Sequence, residues 1–250
     1  MQVDERPVAG QRRDRRGRGP MIGVAAAAVV LIVGVIYTYT NTNREPVAAP
    51  APSAIELPGE FQPIVPGAYF ADTDGNEETA TRGTFVIEGS GWQSLEAGVL
   101  RDTPEGVDNG LYVGLMVVEV DKVWEAPCDG GASAPAGTTA KTLGDQFAAM
   151  PEFVTREALT PVSAFGHDGY HLGLSVPGGC TDGETVWTGG AWGERNYQAE
   201  GQIVEYWFLD VDGTTVMVEA TRPPESIEED VAAELVADLD TLLDTLVITP

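Results

Sequence analysis

The sequence predicts an α+β protein with a single N-terminal transmembrane helix, followed by an antiparallel sheet packed by a short helix and a C-terminal helix. Three observations lead to this prediction. Residues 20–39 form an uncharged apolar run. Several later segments rich in β-branched and aromatic residues are bounded by Gly, Asp and Pro, which is typical of strands and turns. Near the C terminus, apolar residues recur at three- and four-residue steps, which is typical of an amphipathic helix.

Residues 20–39 are long and apolar enough for one membrane crossing. From Met21 to Tyr39 a helix would be roughly 28 Å long at about 1.5 Å per residue, close to the ~30 Å apolar core of a bilayer. Because basic residues stay on the cytoplasmic side, we expect a single-pass protein of the cell membrane. Its N terminus, the basic arm of residues 1–19, is cytoplasmic and its C-terminal domain is extracellular. The arginines immediately before the run are Arg12, Arg13, Arg15, Arg16 and Arg18.

A cleaved signal peptide has the same basic start and apolar run. It also needs small residues at a cleavage site just after the run, and residues 38–45 offer none. The alanine-containing alternatives further along are each followed by Pro, and no Cys near the run can carry a lipid. The sequence therefore favours an uncleaved anchor over a signal peptide.

The chain is strongly acidic. It contains 14 Lys and Arg against 39 Asp and Glu, with a formal net charge of −25, and most of the acids follow the apolar run. Such a surface repels nucleic acid and anionic lipid, so we expect no nucleic-acid partner. It attracts basic proteins, basic peptides and cations, although the same charge also serves solubility alone.

Two further segments follow the predicted anchor. Residues 40–67 contain six prolines, which disfavour helix and central strand and favour an extended polyproline conformation. We interpret this segment as a stalk. Residues 68–250 have the length of one globular domain, so the anchor and stalk would hold a single extracytoplasmic domain outside the membrane.

Residues 84–88 predict a short strand in that domain. Residues 111–124 predict a central strand, because their apolar side chains fall on both parities and both faces must be covered. Residues 161–165 and 170–176 are expected to pair around a turn at residues 166–169. These segments together predict most of an antiparallel sheet.

The clearest hairpin joins residues 202–210 to residues 214–220. Asp212 and Gly213 lie at its centre, and this dipeptide is the strongest signal of a type I′ turn.

Two helices complete the prediction. Thr142 is expected to cap a short helix over residues 142–150, which Pro151 ends. Ser226 and Glu229 form a capping-box pattern at the start of the C-terminal helix. The apolar stripe of that helix must be buried against the sheet and consists of Val231, Leu235, Leu239, Leu242 and Leu246.

The two cysteines, Cys128 and Cys180, lie in Gly-rich segments of the part predicted to be exported. An oxidising compartment favours a disulfide between them. A reactive thiol is the alternative, but no His or basic residue adjoins either one to lower its pKa. Two Cys and two His at no recognised spacing exclude a zinc site.

Three aromatic residues, Trp187, Trp192 and Tyr197, lie in or beside a Gly-rich loop. Large rings in such a loop can contact an envelope glycan, a peptide or a lipid. Alternatively, they cover an edge of the core or hold the Cys180 loop in place. These residues are the only candidate ligand contacts that the sequence supplies.

Other candidate sites do not fit their chemistry. The acidic residues 72–78 suggest Ca²⁺, but Gly75 does not stand where an EF-hand requires glycine. His167 and His171 are separated by Asp-Gly, which predicts a turn where the helical zinc motif needs a helix. Ser90 lies in no nucleophile motif. We therefore expect no catalytic residue, cofactor or metal, and assign no role to Glu184, Glu194, Glu200 or Glu205.

Several motifs in order carry a resemblance to a known family. Residues 84–92, 123–128, 166–170 and 207–213, with Cys180 and a terminal helix, resemble an exported actinobacterial membrane-anchored domain family, mostly uncharacterised. That family is similar to PsbP-like α/β/α sandwiches in its order of elements. The resemblance implies such a sandwich for residues 67–248 and supplies no functional residues.

The sequence therefore predicts a non-enzymatic role at the bacterial cell envelope, in binding, sensing or scaffolding. The alternative is a cell-envelope hydrolase whose active residues come together from separate strands.

Overall fold

A computed structural model describes residues 54–59, 61–74, 81–95, 97–102, 110–178, 185–190, 193–196, 199–227 and 229–250. All of them belong to one compact unit, Arg44–Pro250. The predicted basic arm and the predicted anchor at residues 20–39 lie outside the described residues. Within the described part of the chain, no helix has the length and apolar character that a membrane crossing requires.

The described residues form fifteen strands and two α-helices. The prediction of an α+β fold with an N-terminal transmembrane helix is therefore wrong for this part of the chain, which is mainly β. The elements are β1 (Ile55–Glu56), β2 (Gly67–Asp72), β3 (Arg82–Ile87), β4 (Trp92–Leu95), β5 (Gly98–Asp102), β6 (Tyr112–Val118), β7 (Lys122–Trp124), β8 (Ser133–Pro135), α1 (Ala140–Ala148), β9 (Val154–Ala164), β10 (His167–Ser175), β11 (Thr185–Gly189), β12 (Gly193–Asn196), β13 (Ile203–Val211), β14 (Thr214–Arg222), α2 (Glu229–Thr245) and β15 (Val247–Thr249).

The strands form three sheets. A seven-stranded sheet has the order β4-β5-β6-β14-β13-β10-β9, and two four-stranded sheets have the orders β1-β2-β3-β15 and β12-β11-β7-β8. Neighbouring strands are antiparallel, except that β1 and β2 are parallel. The seven-stranded sheet is the centre of the domain.

Each face of the seven-stranded sheet packs on a separate hydrophobic core. One core joins it to α2 and to the β1-β2-β3-β15 sheet. The other joins it to α1 and to the β12-β11-β7-β8 sheet. All seven residues of β6 are buried, which explains why its apolar residues occupy both parities.

The predicted central strand 111–124 is two strands in the structure. β6 ends at Val118, and β7 begins at Lys122 in a different sheet. Between them, the backbone amide of Glu119 donates to Thr73 and that of Asp121 donates to Thr188. Residues 119–121 thus connect the seven-stranded sheet to the β12-β11-β7-β8 sheet.

The β13–β14 hairpin has the predicted turn. Val211 pairs with Thr214, and Asp212 and Gly213 have φ values of 47° and 93°. Two positive φ values are what a type I′ turn requires. The β9–β10 hairpin turns at Phe165 and Gly166, with φ values of 54° and 93°, and so it turns before the predicted position.

The short helix α1 begins earlier than predicted. Its N-cap is Thr139, whose hydroxyl accepts from the Thr142 amide, while the Thr142 hydroxyl accepts from the Thr139 amide. Two threonines three residues apart therefore cap the helix reciprocally. Leu143 and Phe147 are buried on its inner face.

Helix α2 buries its leucine stripe, as its spacing indicates. Leu235, Leu239, Leu242 and Leu246 are each at most 4% exposed. The chain then forms β15, which pairs with β3. The Thr245 hydroxyl also accepts from the Val86 amide at 2.9 Å, so the end of α2 is fixed to β3.

Part of the predicted stalk belongs to this domain. Ile55–Glu56 form β1 beside β2, and the side chains of Leu57 and Ile64 are buried. The remaining boundaries of the arm, anchor and stalk stay predictions.

Candidate binding site

The two outer strands of the seven-stranded sheet differ. The β4 edge is covered by the preceding segment. The amides of Phe61 and Ile64 donate to the carbonyls of Ser94 and Trp92 at 2.8 and 2.9 Å, and the Ser94 amide donates to Gln62 at 2.9 Å. The buried Ser94 hydroxyl reinforces this contact, because it donates to Gly59 at 2.6 Å and accepts from the Gln62 amide at 3.1 Å.

The β9 edge is open. β9 is an 11-residue strand whose side chains are mostly exposed, and it pairs only with β10 among the described strands. Within the described chain, no strand lies beyond it. Its outer backbone N–H and C=O groups therefore have no partner strand among the described residues, and an edge of this kind can accept an added strand.

Two features set how much of β9 can accept a partner. Pro161 lacks a backbone N–H and lies within the strand, opposite Tyr170, so pairing beyond it is interrupted. The register with β10 also shifts twice, between His171 and Gly173 and again between Gly173 and Leu174. One extra residue therefore lies between Thr160 and Glu157, and Arg156 is the second. The part of the edge before Pro161 is residues 154–160, and it contains both irregularities.

Charged residues surround this part of the edge. Arg156 forms an ion pair with Glu225. Glu157 is 61% exposed, and its Oε2 lies 3.4 Å from Nδ1 of His171. Val154 is also exposed, at 59%. Val154 and Glu157 pair with Ser175 and Gly173, so both side chains lie on one face of the sheet.

An open cleft of about 400 Å³ adjoins the start of β9 on that face. It is lined by Arg156, Ser175, Glu200, Gly201, Pro224, Glu225 and Ser226. The two carboxylates and the single guanidinium in this lining leave it with an excess of negative charge.

His171 is the histidine closest to this edge, and its side chain is 13% exposed. Burial lowers its pKa from the ordinary value, although Glu205 and Glu157 oppose that shift. The ring lies 4.8 Å from the Trp207 ring. Its Nε2 is buried and forms no hydrogen bond with the described part of the protein. The other histidine, His167, contacts the Ile248 carbonyl through Nε2 at 3.0 Å.

The remaining charges on this face are paired with one another. Arg222 lies 2.7 Å from Glu205 on β13 and 2.8 Å from Asp240 on α2. These carboxylates raise the pKa of Arg222 against the opposing effect of burial. These pairs join α2 to the sheet.

The predicted contact residue Trp187 is buried at 0% exposure. It lies on β11, and its Nε1 donates to Oε2 of Glu219 at 2.9 Å. Glu219 also accepts from Nε of Arg195 at 2.7 Å, and Arg195 donates to Thr221 at 3.2 Å. This buried network fixes the β11–β12 hairpin to strand β14, and it leaves the Trp187 ring no surface for a ligand.

The other two predicted contacts, Trp192 and Tyr197, lie outside the described residues. Cys180 does too. Cys128 follows β7 and is not a free thiol, but its pairing with Cys180 stays a prediction. The contact role of the loop that contains Trp192 and Tyr197 also stays a prediction.

The acidic segment that suggested Ca²⁺ is partly described. Asp72 forms an ion pair with Arg82 at 2.7 Å. The Glu119 carboxylate accepts from the Thr73 hydroxyl at 2.9 Å, and burial with the nearby Asp74 and Asp121 raises its pKa. Among the described residues, no group of three or more His, Cys, Asp or Glu side chains is placed to hold a metal.

Sequence reasoning missed the open edge and the Arg195–Glu219 pair. Pro161 was a usable signal, because proline within a strand is confined to edges and bulges. The ion pair left no such pattern in the sequence, because Arg195 and Glu219 are brought into contact only when the chain folds.

These features define a mainly β domain whose seven-stranded sheet has one covered edge and one edge with no described neighbour. The sequence matches no family model and no curated protein. One solved structure similar to the chain is LpqN, described as involved in cell envelope biogenesis of Mycobacterium tuberculosis. The similarity covers 73% of this chain and 92% of LpqN, with 10% sequence identity and a TM-score of 0.40. Such a low TM-score assigns neither fold nor function, and the actinobacterial family and PsbP-like order stay predictions.

Proposed function

We propose that this chain is a non-enzymatic binding protein of the bacterial cell envelope. Residues 20–39 anchor it in the cell membrane, and the domain lies on the extracytoplasmic side. The arginines before the apolar run, the acidic composition and the two cysteines of the exported part support this location. The domain binds a polypeptide partner by accepting an added strand at β9.

The observation that carries the proposal is the contrast between the two sheet edges. Natural sheets shield their edges, because unpaired N–H and C=O groups pair readily with another chain. This domain shields β4 with residues 61–64 and leaves residues 154–160 of β9 open. An exposed sheet edge is the arrangement that strand addition uses.

A cell-envelope hydrolase is less well supported. The contact between His171 and Glu157 is of the kind that activates a nucleophile, but the second ring nitrogen of His171 is buried. Hydrolysis of an envelope polymer by the full chain, abolished by His171→Ala, would contradict a non-enzymatic role.

Site-specific photo-crosslinking tests the binding edge. A benzoylphenylalanine placed at Thr155, which is exposed on β9, should form a crosslink with a second polypeptide in intact cells. The same probe at Glu194, exposed on β12, is the matched control and should not form that product. Equal products from both positions, or none from Thr155, would refute strand addition at β9.

Cysteine labelling tests the location independently. A thiol reagent that does not cross membranes should label Ser53→Cys in intact cells and should not label Gln11→Cys. The opposite labelling pattern would show that the proposed orientation is reversed. Labelling of neither cysteine or of both would contradict the proposed membrane anchor.

A further inference from the structure

We infer that the strand received by β9 is basic: an extended peptide that alternates apolar residues with Lys or Arg, and places two successive basic side chains against Glu157 and in the cleft of Glu200 and Glu225. This inference rests on the proposed strand addition and names the chemistry of its partner.

Backbone pairing alone does not select a partner, because every peptide presents the same N–H and C=O groups. Selection comes from alternate side chains, which project to one face of the sheet about 7 Å apart. On the face that carries Val154 and Glu157, a partner strand meets an exposed apolar residue and an exposed carboxylate. Basic residues at every second position of the partner strand would all lie on this face and complement the Glu157 carboxylate, while the apolar residues between them would project to the other face.

Glu157 has a charge available for a partner. Its carboxylate is 61% exposed, and among described side chains its ion-pairing neighbour is His171. Burial lowers the pKa of His171, so the ring is neutral at pH 7 and leaves the carboxylate uncompensated. The nearby Glu205 differs in this respect, because Arg222 neutralises it at 2.7 Å.

The cleft supplies the second contact. Its lining includes Glu200 and Glu225 but only one basic residue, Arg156, which is already paired with Glu225. A volume of about 400 Å³ accommodates a lysine or arginine side chain. The cleft adjoins the start of β9, so a side chain two residues along a paired strand from the one at Glu157 can enter it.

A second copy of this chain fits the edge less well. Each copy has a formal net charge of −25, so pairing two β9 strands would bring two strongly acidic domains together. The inferred occupant is therefore a basic peptide and not a self-association partner.

Peptide titration of the full chain in a neutral detergent tests the inference. The probes are two capped seven-residue peptides, one alternating Val with Lys and the other alternating Val with Glu. We expect the Val-Lys peptide to bind at least about tenfold more tightly, and to protect amides of residues 154–160 from hydrogen exchange. A Val-Lys peptide with N-methyl groups on alternate residues should lose that protection, because its backbone cannot pair.

Two variants locate the charge effect. Glu157→Gln should weaken Val-Lys binding about two- to fivefold, which is the range of an exposed ion pair. Glu194→Gln removes an exposed acid from β12 and should leave binding unchanged. An equal loss in both variants would overturn the inference, because it would show attraction by net charge alone.

The outcomes separate the two proposals. If both peptides bind equally and protect β9, strand addition stands and the basic partner is wrong. If neither peptide protects β9, both the partner and the binding edge are wrong. If the chain protects β9 by dimerising without peptide, a second copy is the occupant and the inference is overturned.

Discussion

The β4 and β9 strands are the two outer strands of the seven-stranded sheet, but their surroundings differ. At β4, a chain segment crosses the edge, forms backbone hydrogen bonds and buries Ile64. At β9, the side chains are mostly exposed and Val154 meets solvent. The covered edge therefore adds buried contacts to the fold, whereas the exposed side chains of β9 add few.

The largest expected effect on stability comes from loss of the predicted disulfide. This change serves as a control for the comparison, because it should affect both edges alike. Cys128→Ser combined with Cys180→Ser removes the predicted disulfide and should lower the free energy of unfolding by about 4 kcal/mol on the chain-entropy account. Denaturant unfolding gives the magnitude, and mass spectrometry of a non-reduced digest identifies the linked peptides. Two free thiols in protein freshly taken from the envelope would show that no disulfide forms.

Truncation of one apolar side chain at each edge tests the comparison directly. Ile64→Ala should cost about 2–5 kcal/mol, because it removes a buried side chain. Val154→Ala should change stability by less than about 0.5 kcal/mol, because that side chain is exposed. Chemical denaturation measures the stability of both variants. Similar losses of stability in the two variants would contradict the proposed difference between the edges.

Ser94→Ala should expose the β4 edge without creating a cavity in the hydrophobic core. It deletes the hydroxyl that contacts Gly59 and Gln62, at a cost of about 1–2 kcal/mol. Hydrogen exchange at Phe61 and Ile64 should accelerate as the covering segment loosens. Thr155→Ala on β9 is the matched control and should leave exchange at these amides unchanged.

The smallest expected effect is a dependence of stability on pH near the open edge. Burial lowers the pKa of His171 in the folded state, while the unfolded chain takes up that proton near pH 6.5. The stabilisation is therefore complete above pH 6.5 and decreases as the pH falls below it. The carboxylates of Glu157 on β9 and Glu205 on β13 face the ring and limit the loss.

A comparison of variants isolates this contribution. His171→Gln should flatten stability between pH 7 and pH 5, as measured by thermal unfolding across that range. His167→Gln retains His171 and should keep the wild-type slope. Identical slopes in His171→Gln and wild type would show that His171 makes no contribution.

The sequence predicted elements where local chemistry decides the structure. Asp212-Gly213 specified the β13–β14 turn, and the two-sided apolar pattern identified β6. The first half of β9 was missed because its side chains are exposed on both faces, so no alternation marks it. Its presence depends on pairing with β10, which is a tertiary property.

Prediction of the candidate site was limited by long-range contacts. Trp187 was a candidate contact because it stands beside a Gly-rich loop. Its burial depends on Glu219, which lies 32 residues further along the chain, and no local pattern reports such a partner. The open edge is also visible only in the strand order, although Pro161 gave a hint of it.

The pairing of β15 with β3 has a consequence for how the domain matures. Val86 and Thr245 are 159 residues apart yet hydrogen-bonded, so β3 lacks this neighbour until nearly all of the domain has been synthesised. Folding of the β1-β2-β3-β15 sheet must therefore follow translation of α2. A chain crossing a membrane in the unfolded state would complete this sheet only after β15 emerges and pairs with β3.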